Sequence, residues 1–122
     1  MIGYVTLGTN DMAKSTAFYD DLLSLLGAKR FMSDDRFVAW TSAPGAPGVS
    51  VALPFDGQPA TVGNGVMVAL TTNKRETVDA IYNKALALGG TDEGKPGERM
   101  DGFYAAYFRD LDGNKLNCFC MG

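Results

Sequence analysis

Gly102-Phe-Tyr-Ala-Ala-Tyr-Phe-Arg-Asp-Leu-Asp-Gly-Asn-Lys-Leu-Asn-Cys-Phe-Cys-Met121 is the stretch on which the reading of the chain turns. Two apolar, aromatic-rich runs flank the polar segment Asp110-Leu111-Asp112-Gly113-Asn114. Asp-Gly between two such runs predicts a β-hairpin, because Gly113 can take the positive φ that the turn demands. Strand parity then puts Asn117 on one face, with Cys118 and Cys120 on the other. Tyr104 and Tyr107 fall on opposite faces of the first strand, so only one of them can face a binding surface.

Working back from the hairpin, Thr91 to Asp101 predicts a short strand and the polar loop Glu93-Gly-Lys-Pro-Gly-Glu-Arg-Met. A helix precedes it, with Asn73 as its cap and Glu76 three residues on in a capping-box arrangement. Val78, Ile81, Tyr82, Ala85 and Leu88 form its apolar stripe, and Gly89-Gly90 ends it. Gly65 to Thr72 reads as a strand. The order of this half is β-α-β-β-β.

The first half repeats the pattern. Ile2 to Thr9 reads as a strand, and Asn10-Asp11 offers an N-cap for a helix over Met12 to Leu26. Ala13, Ala17, Phe18, Leu22, Leu25 and Leu26 lie on one broad face, and Gly27 stands at the C′ position. Lys29 to Ser33 and Arg36 to Thr41 form a hairpin through Asp34-Asp35, and Val49 to Phe55 is another strand. Residues 56–63, with Gly57, Pro59 and Gly63, are the linker. Two modules of one supersecondary pattern result, about 1–57 and 63–122. Neither buries both helix and sheet alone, so the expected fold is a single α+β domain with a shared core.

Bulk composition narrows the function classes. A chain of 122 residues is long enough for one sizeable core. A net charge of −3 and a pI near 4.7, with no basic stripe, argue against a nucleic-acid partner. No apolar run approaches the ~20 residues that span a bilayer, and the first eight residues do not resemble a signal peptide. Cys118 and Cys120 point the same way about 6–7 Å apart along a strand. That spacing fits disulfide geometry poorly. These features predict a cytoplasmic protein with two buried thiols and no membrane partner.

There is no histidine in the sequence. Imidazole is the commonest ligand of catalytic zinc, iron and nickel and the usual acid–base at neutral pH. Its absence excludes a Ser-His or Cys-His nucleophile and a two-His-one-carboxylate iron site.

The hairpin Phe103-Tyr-Ala-Ala-Tyr-Phe-Arg-Asp-x-Asp-Gly-Asn-Lys-Leu116 resembles the closing hairpin of the vicinal oxygen chelate superfamily. That superfamily holds glyoxalase I, extradiol dioxygenases, fosfomycin resistance enzymes and bleomycin resistance proteins. Val5-Thr-Leu-Gly with Asp11 and Ala17-Phe18-Tyr19, then Gly63-Asn-Gly-Val-Met-Val-Ala, extend the resemblance over essentially the whole chain. It implies two tandem βαβββ modules forming a cupped mixed β-sheet, with helices on the convex face and the site in the hollow. It also implies a homodimer.

In metal-dependent members, His or Glu stands at the start of the first strand and again after the linker, with Glu on the last strand. The matching positions here hold Tyr4, Met67 and Asn117. A phenol with a pKa of about 10, a thioether and a neutral amide are poor ligands for Zn²⁺, Mn²⁺ or Fe²⁺. The sequence therefore implies no metal and no other cofactor. Tyr4, Met67 and Asn117 either line the hollow around a flat or amphipathic small molecule or fill it as a plug. Trp40 and Phe55 flank a Pro/Gly loop as candidate rim residues, and Tyr104 is a further candidate contact. Asp20, Asp21, Asp34 and Asp35 make the surface acidic, which favours a cationic ligand by steering.

Three functions remain open at this point. The first is a metal-free small-molecule binding protein similar to the bleomycin resistance proteins. The second is a glyoxalase-related lyase, isomerase or dioxygenase-like enzyme acting without metal or with a displaced one, its base drawn from Glu98, Asp101 or Tyr4. The third is an interaction module whose cup is vestigial.

Overall fold

The computed structural model describes all 122 residues. The chain runs β1 (Tyr4–Gly8), α1 (Met12–Ser24), β2 (Lys29–Ser33), β3 (Phe37–Thr41) and β4 (Gly48–Ala52). It continues with β5 (Val68–Thr71), α2 (Arg75–Ala87), β6 (Thr91–Met100), β7 (Phe103–Arg109) and β8 (Lys115–Met121). The predicted doubling of βαβββ is present. Each half forms a mixed four-stranded sheet, ordered β1-β4-β3-β2 and β5-β8-β7-β6. β1 lies parallel to β4, and β5 parallel to β8, while the remaining pairs are antiparallel. The two sheets are not hydrogen-bonded into one, so β1 and β5 each keep an unpaired edge.

Each helix covers one face of its own sheet, and the two helices touch. On α1 the buried residues are Ser15, Phe18, Tyr19, Leu22 and Leu23, the i, i+3, i+4, i+7, i+8 stripe of an amphipathic helix. Ala13 and Ala17, expected on this face, lie outside it. Val78, Ile81, Tyr82 and Ala85 form the corresponding stripe of α2. They meet Leu7, Val38, Trp40 and Val51 from the first sheet and Leu70, Phe108, Leu116, Cys118 and Cys120 from the second in one continuous core. The modules thus share a core, as two half-sheets with one apolar face each must.

The caps of the two helices differ. Asp11 caps α1, its carboxylate accepting from the Lys14 N–H at 3.0 Å. α2 begins one residue later than Asn73 would require, so Lys74 occupies the N-cap with no side-chain bond. Glu76 is then one position too early for a capping box and acts only as an acidic residue in the first turn.

Three strand boundaries depart from expectation. β4 stops at Ala52, ahead of Pro54, which has no N–H to continue a ladder. β5 starts at Val68 rather than Gly65, because Gly63 to Val66 closes a turn with Gly65 at φ 96°. Residues 91–100, expected to be mostly loop, form a ten-residue edge strand. Its register shifts between Asp92 and Gly94, again before Gly97, and again after Glu98. An edge strand with bulges tolerates Pro96, which an inner strand would not.

Candidate functional site

The faces turned away from the helices are the candidate binding surface. On the first sheet this open face carries Tyr4, Thr6, Met32, Phe37 and Ser50. Tyr4 is 59% exposed and meets Phe37 edge-on at 6.0 Å between ring centroids. Beside them the Thr6 and Ser50 hydroxyls share a 2.7 Å hydrogen bond. The open face of the second sheet carries Asn117 and Phe119 from β8, and Ala105 and Tyr107 from β7. Phe103 stacks on Phe119 at 5.3 Å.

The sequence-derived candidates divide between the two sides. Tyr4 and Asn117 belong to open faces, and Met67 sits on the loop entering β5. Asn117 is only 1% exposed, and its amide donates to the Ala106 carbonyl at 3.3 Å. Met67 lines a cleft of about 430 Å³ with Val62, Val66, Arg109, Lys115 and the intervening loop.

Trp40 and Tyr104 point the other way. Trp40 is 1% exposed beneath α1, with its indole N–H donating to Asp20 at 2.8 Å. Tyr104 pairs with Cys120 on the helix side and donates to Asp79 on α2 at 2.6 Å. Neither borders the hollow. Trp40 instead borders a groove on the helix side, with Leu70 and Lys74 across from it. Phe55 is fully exposed on the linker. Cys118 and Cys120 are free, buried on the face opposite Asn117, as parity required. Burial, and then the neighbouring Cys120, push the Cys118 thiol up to about 12.

Of the two tyrosines on β7, Tyr107 is the one that faces the open side. It lies directly across the hairpin from Asn117. The Arg99 guanidinium carbon stands 5.5 Å from its ring centroid and the Lys115 ammonium 5.6 Å. Counting outward from the Asp-Gly turn pairs residue 107 with 117, so the sequence held the signal that separates Tyr107 from Tyr104.

Arg109 pairs with Glu93, at 2.8 Å. Glu98, a candidate general base, accepts from the Gly102 N–H and from Arg75, which together hold its carboxyl below the usual range. Asp20 is likewise lowered, chiefly by Arg30, so this member of the acidic surface is already partnered.

The positions that hold a metal in metal-dependent relatives do not fit one here. Tyr4, Met67 and Asn117 offer no imidazole or anionic donor, and the Asn117 amide is engaged by the backbone. Elsewhere no group of three or more Cys, Asp or Glu side chains converges.

Comparison with known proteins gives the frame. The model of the Glyoxalase/Bleomycin resistance protein/Dioxygenase superfamily matches residues 1–118. A glyoxalase/bleomycin resistance protein from Albidiferax ferrireducens T118 is similar at 36% identity and a TM-score of 0.91, covering 100% of this chain and 99% of that one. A hypothetical protein from S. aureus is similar at 29% identity and a TM-score of 0.74, covering 98% and 92%. Lactoylglutathione lyase from Agrobacterium tumefaciens, 19% identical, shares the fold with a TM-score of 0.70 over 98% and 92%. No curated protein matches the sequence. Taken with the doubled βαβββ fold, the family match and the 36% relative establish that this chain belongs to the glyoxalase/bleomycin resistance protein/dioxygenase superfamily.

Proposed function

We propose that the protein binds a small organic molecule against the open faces of its sheets, without a metal, and that two copies together form the hollow. The observation that carries this reading is the donor set. At the three positions where metal-dependent relatives place imidazole or carboxylate, this chain has Tyr4, Met67 and Asn117. A phenol, a thioether and an amide suit an amphipathic organic molecule better than a divalent cation.

The surface composition supports the same reading. Tyr4, Phe31, Met32, Met67 and Met121 are all exposed, and exposed apolar side chains grouped on a surface mark binding or association sites. A second copy would cover part of it and would supply a neighbour for the unpaired edges of β1 and β5. The open-face candidates are spread over two sheets within a single chain, Tyr4 on β1 and Asn117 on β8, and the sheets are not hydrogen-bonded to each other. A hollow completed across a dimer accounts for that.

Sedimentation velocity and thermal shift test the proposal together. The reading expects a dimer, and a dose-dependent rise in melting temperature with a flat organic ligand that Tyr4→Ala or Met67→Ala diminishes. A monomer at micromolar concentration would contradict the shared hollow. A ligand response untouched by both substitutions would contradict the placement of the site.

A further inference from the structure

A cleft of about 480 Å³ lies between the ends of β1 and β4 and the linker that follows them. Thr6, Gly8 and Ala52 border it from the sheet, and Phe55, Asp56 and Pro59 from the linker. Thr6 and Gly8 alternate along β1 with the core residue Leu7, so they belong to the same open face as Tyr4. The volume suits a small organic molecule.

The hydrogen-bond network at this cleft has a direction. Thr6 and Ser50 face each other across β1 and β4, with their hydroxyl oxygens 2.7 Å apart. Ser50 is fully buried, and its hydroxyl donates to the Val5 carbonyl at 2.9 Å. That uses the only Ser50 proton, because a carbonyl can only accept. Thr6 therefore donates to Ser50, and its oxygen offers a ligand lone pairs alone. Asp56 is the one ionisable side chain that borders the cleft, so the local charge is negative. Its Oδ1 accepts from the Gln58 N–H at 2.9 Å. The linker offers an anion little: Pro54 and Pro59 have no N–H, and those of Leu53 and Ala60 are spent on the Arg36 carbonyl and the Asn10 side chain. Arg36 donates to the Pro54 carbonyl at 3.0 Å and borders a separate cleft. Phe55, next to Asp56 and fully exposed, supplies the aromatic face that attracts a cation.

We infer that this cleft takes an amphipathic organic ammonium that carries N–H donors. Asp56 and Phe55 meet its charge, the Thr6 oxygen accepts an N–H, and its apolar body lies along the prolines of the linker. The inference rests on the small-molecule reading of the open face and names the ligand class. A carboxylate accepting from a cationic N–H makes a charge-assisted bond, and an acceptor-only hydroxyl leaves a ligand carboxylate or carbonyl without a partner. Thr6 is thus a specificity-determining residue, selecting donors over acceptors.

Equilibrium titration with three fluorescent probes of one ring system tests it: N-(1-naphthyl)ethylenediamine, its permethylated quaternary ammonium analogue, and 1-naphthylacetate. The diamine should saturate with a defined stoichiometry and bind more tightly than the other two. Asp56→Asn keeps the acceptor for the Gln58 N–H and should weaken both cations about ten-fold. Thr6→Val keeps a β-branched strand residue and should weaken the diamine about five-fold while leaving the permethylated cation unchanged. In the unmodified protein the diamine should weaken steadily with sodium chloride, a result that holds even if a variant fails to fold. Diamine affinity unchanged in either variant, or insensitive to salt, overturns the inference. Saturable binding of the naphthylacetate in preference to the diamine, weakened by Tyr4→Ala, overturns the cation assignment and leaves the small-molecule reading standing. Failure of all three probes to saturate removes that reading and the inference with it.

Discussion

Tyr19 and Asp110 lie 91 residues apart and are joined by a 2.6 Å hydrogen bond, the Tyr19 hydroxyl donating to the carboxylate. Both are buried. Asp110 also accepts from the Asp112 and Asn114 N–H groups and from the Asn114 amide. Asn114 in turn donates to the Gly8 carbonyl, and Asp112 accepts from the Asn10 N–H. One carboxylate thus ties the last hairpin to α1 and, through its turn, to the end of β1.

Removing either partner should destabilise the fold unequally. Tyr19→Phe leaves one lone pair of Asp110 unpaired and should lower stability by about 1–3 kcal/mol. Asp110→Ala strips the acceptor from several buried donors and should cost more, on the order of 3–5 kcal/mol. Urea denaturation at neutral pH measures both; equal losses would contradict the central place given to the carboxylate.

Stability should fall on the alkaline side. Burial, then the nearby Asp110 charge, raises the Tyr19 hydroxyl well above its ordinary 10.0, and Cys118 rises from 9.0 to about 12. In each case the folded protein holds a proton that the unfolded chain releases. The contribution is therefore complete below the unfolded pKa and is lost as pH climbs through it, from about 9 for the thiol and about 10 for the phenol. Each group contributes up to about 1.4 kcal/mol per pH unit in that window. Melting temperatures between pH 8 and pH 11 should show the decline, and Cys118→Ala should flatten it.

Ser15 is buried on α1, and its hydroxyl has no hydrogen-bond partner. Alanine there removes the unsatisfied group and improves helix propensity, so Ser15→Ala should raise stability by about 1 kcal/mol. A loss of similar size in the same denaturation experiment would mean that the hydroxyl is paired in solution.

Gly97→Ala probes the seat of Arg99. The added methyl would contact the end of a flexible side chain, not backbone, so the fold should hold to within about 1 kcal/mol. Arg99 should leave Tyr107, which a crystal structure of the variant shows directly. An unmoved guanidinium would show that the glycine is not shaped for it.

Much of this was legible in the sequence. Hydrophobic period, glycine positions and the Asp-Gly hairpin suffice for ten elements in the right order, because each element has one apolar face to bury. The capping of α2 is not legible in the pattern, because Asn73 and Glu76 have capping-box spacing but sit one residue early. The edge strand β6 was hidden by Gly94, Pro96 and Gly97, residues that ordinarily mark loops and here mark bulges. Tyr104 fits the aromatic pattern as well as Tyr107, although it pairs with Cys120, which parity places under the helices. Register counted from the turn resolves that choice; composition does not. The Arg99–Tyr107–Lys115 group depends on bulges and side-chain paths that no pattern in the sequence displays.

Tyr4, Met67 and Asn117 stand where metal-dependent relatives hold their metal, and offer it no imidazole or anionic donor. Isothermal titration of the purified, chelator-treated protein with Zn²⁺, Mn²⁺ and Ni²⁺ tests it most directly. No stoichiometric binding tighter than millimolar is expected at this site, with isotherms unchanged in Tyr4→Phe and Asn117→Ala. A single tight metal per hollow, abolished by either substitution, would contradict it.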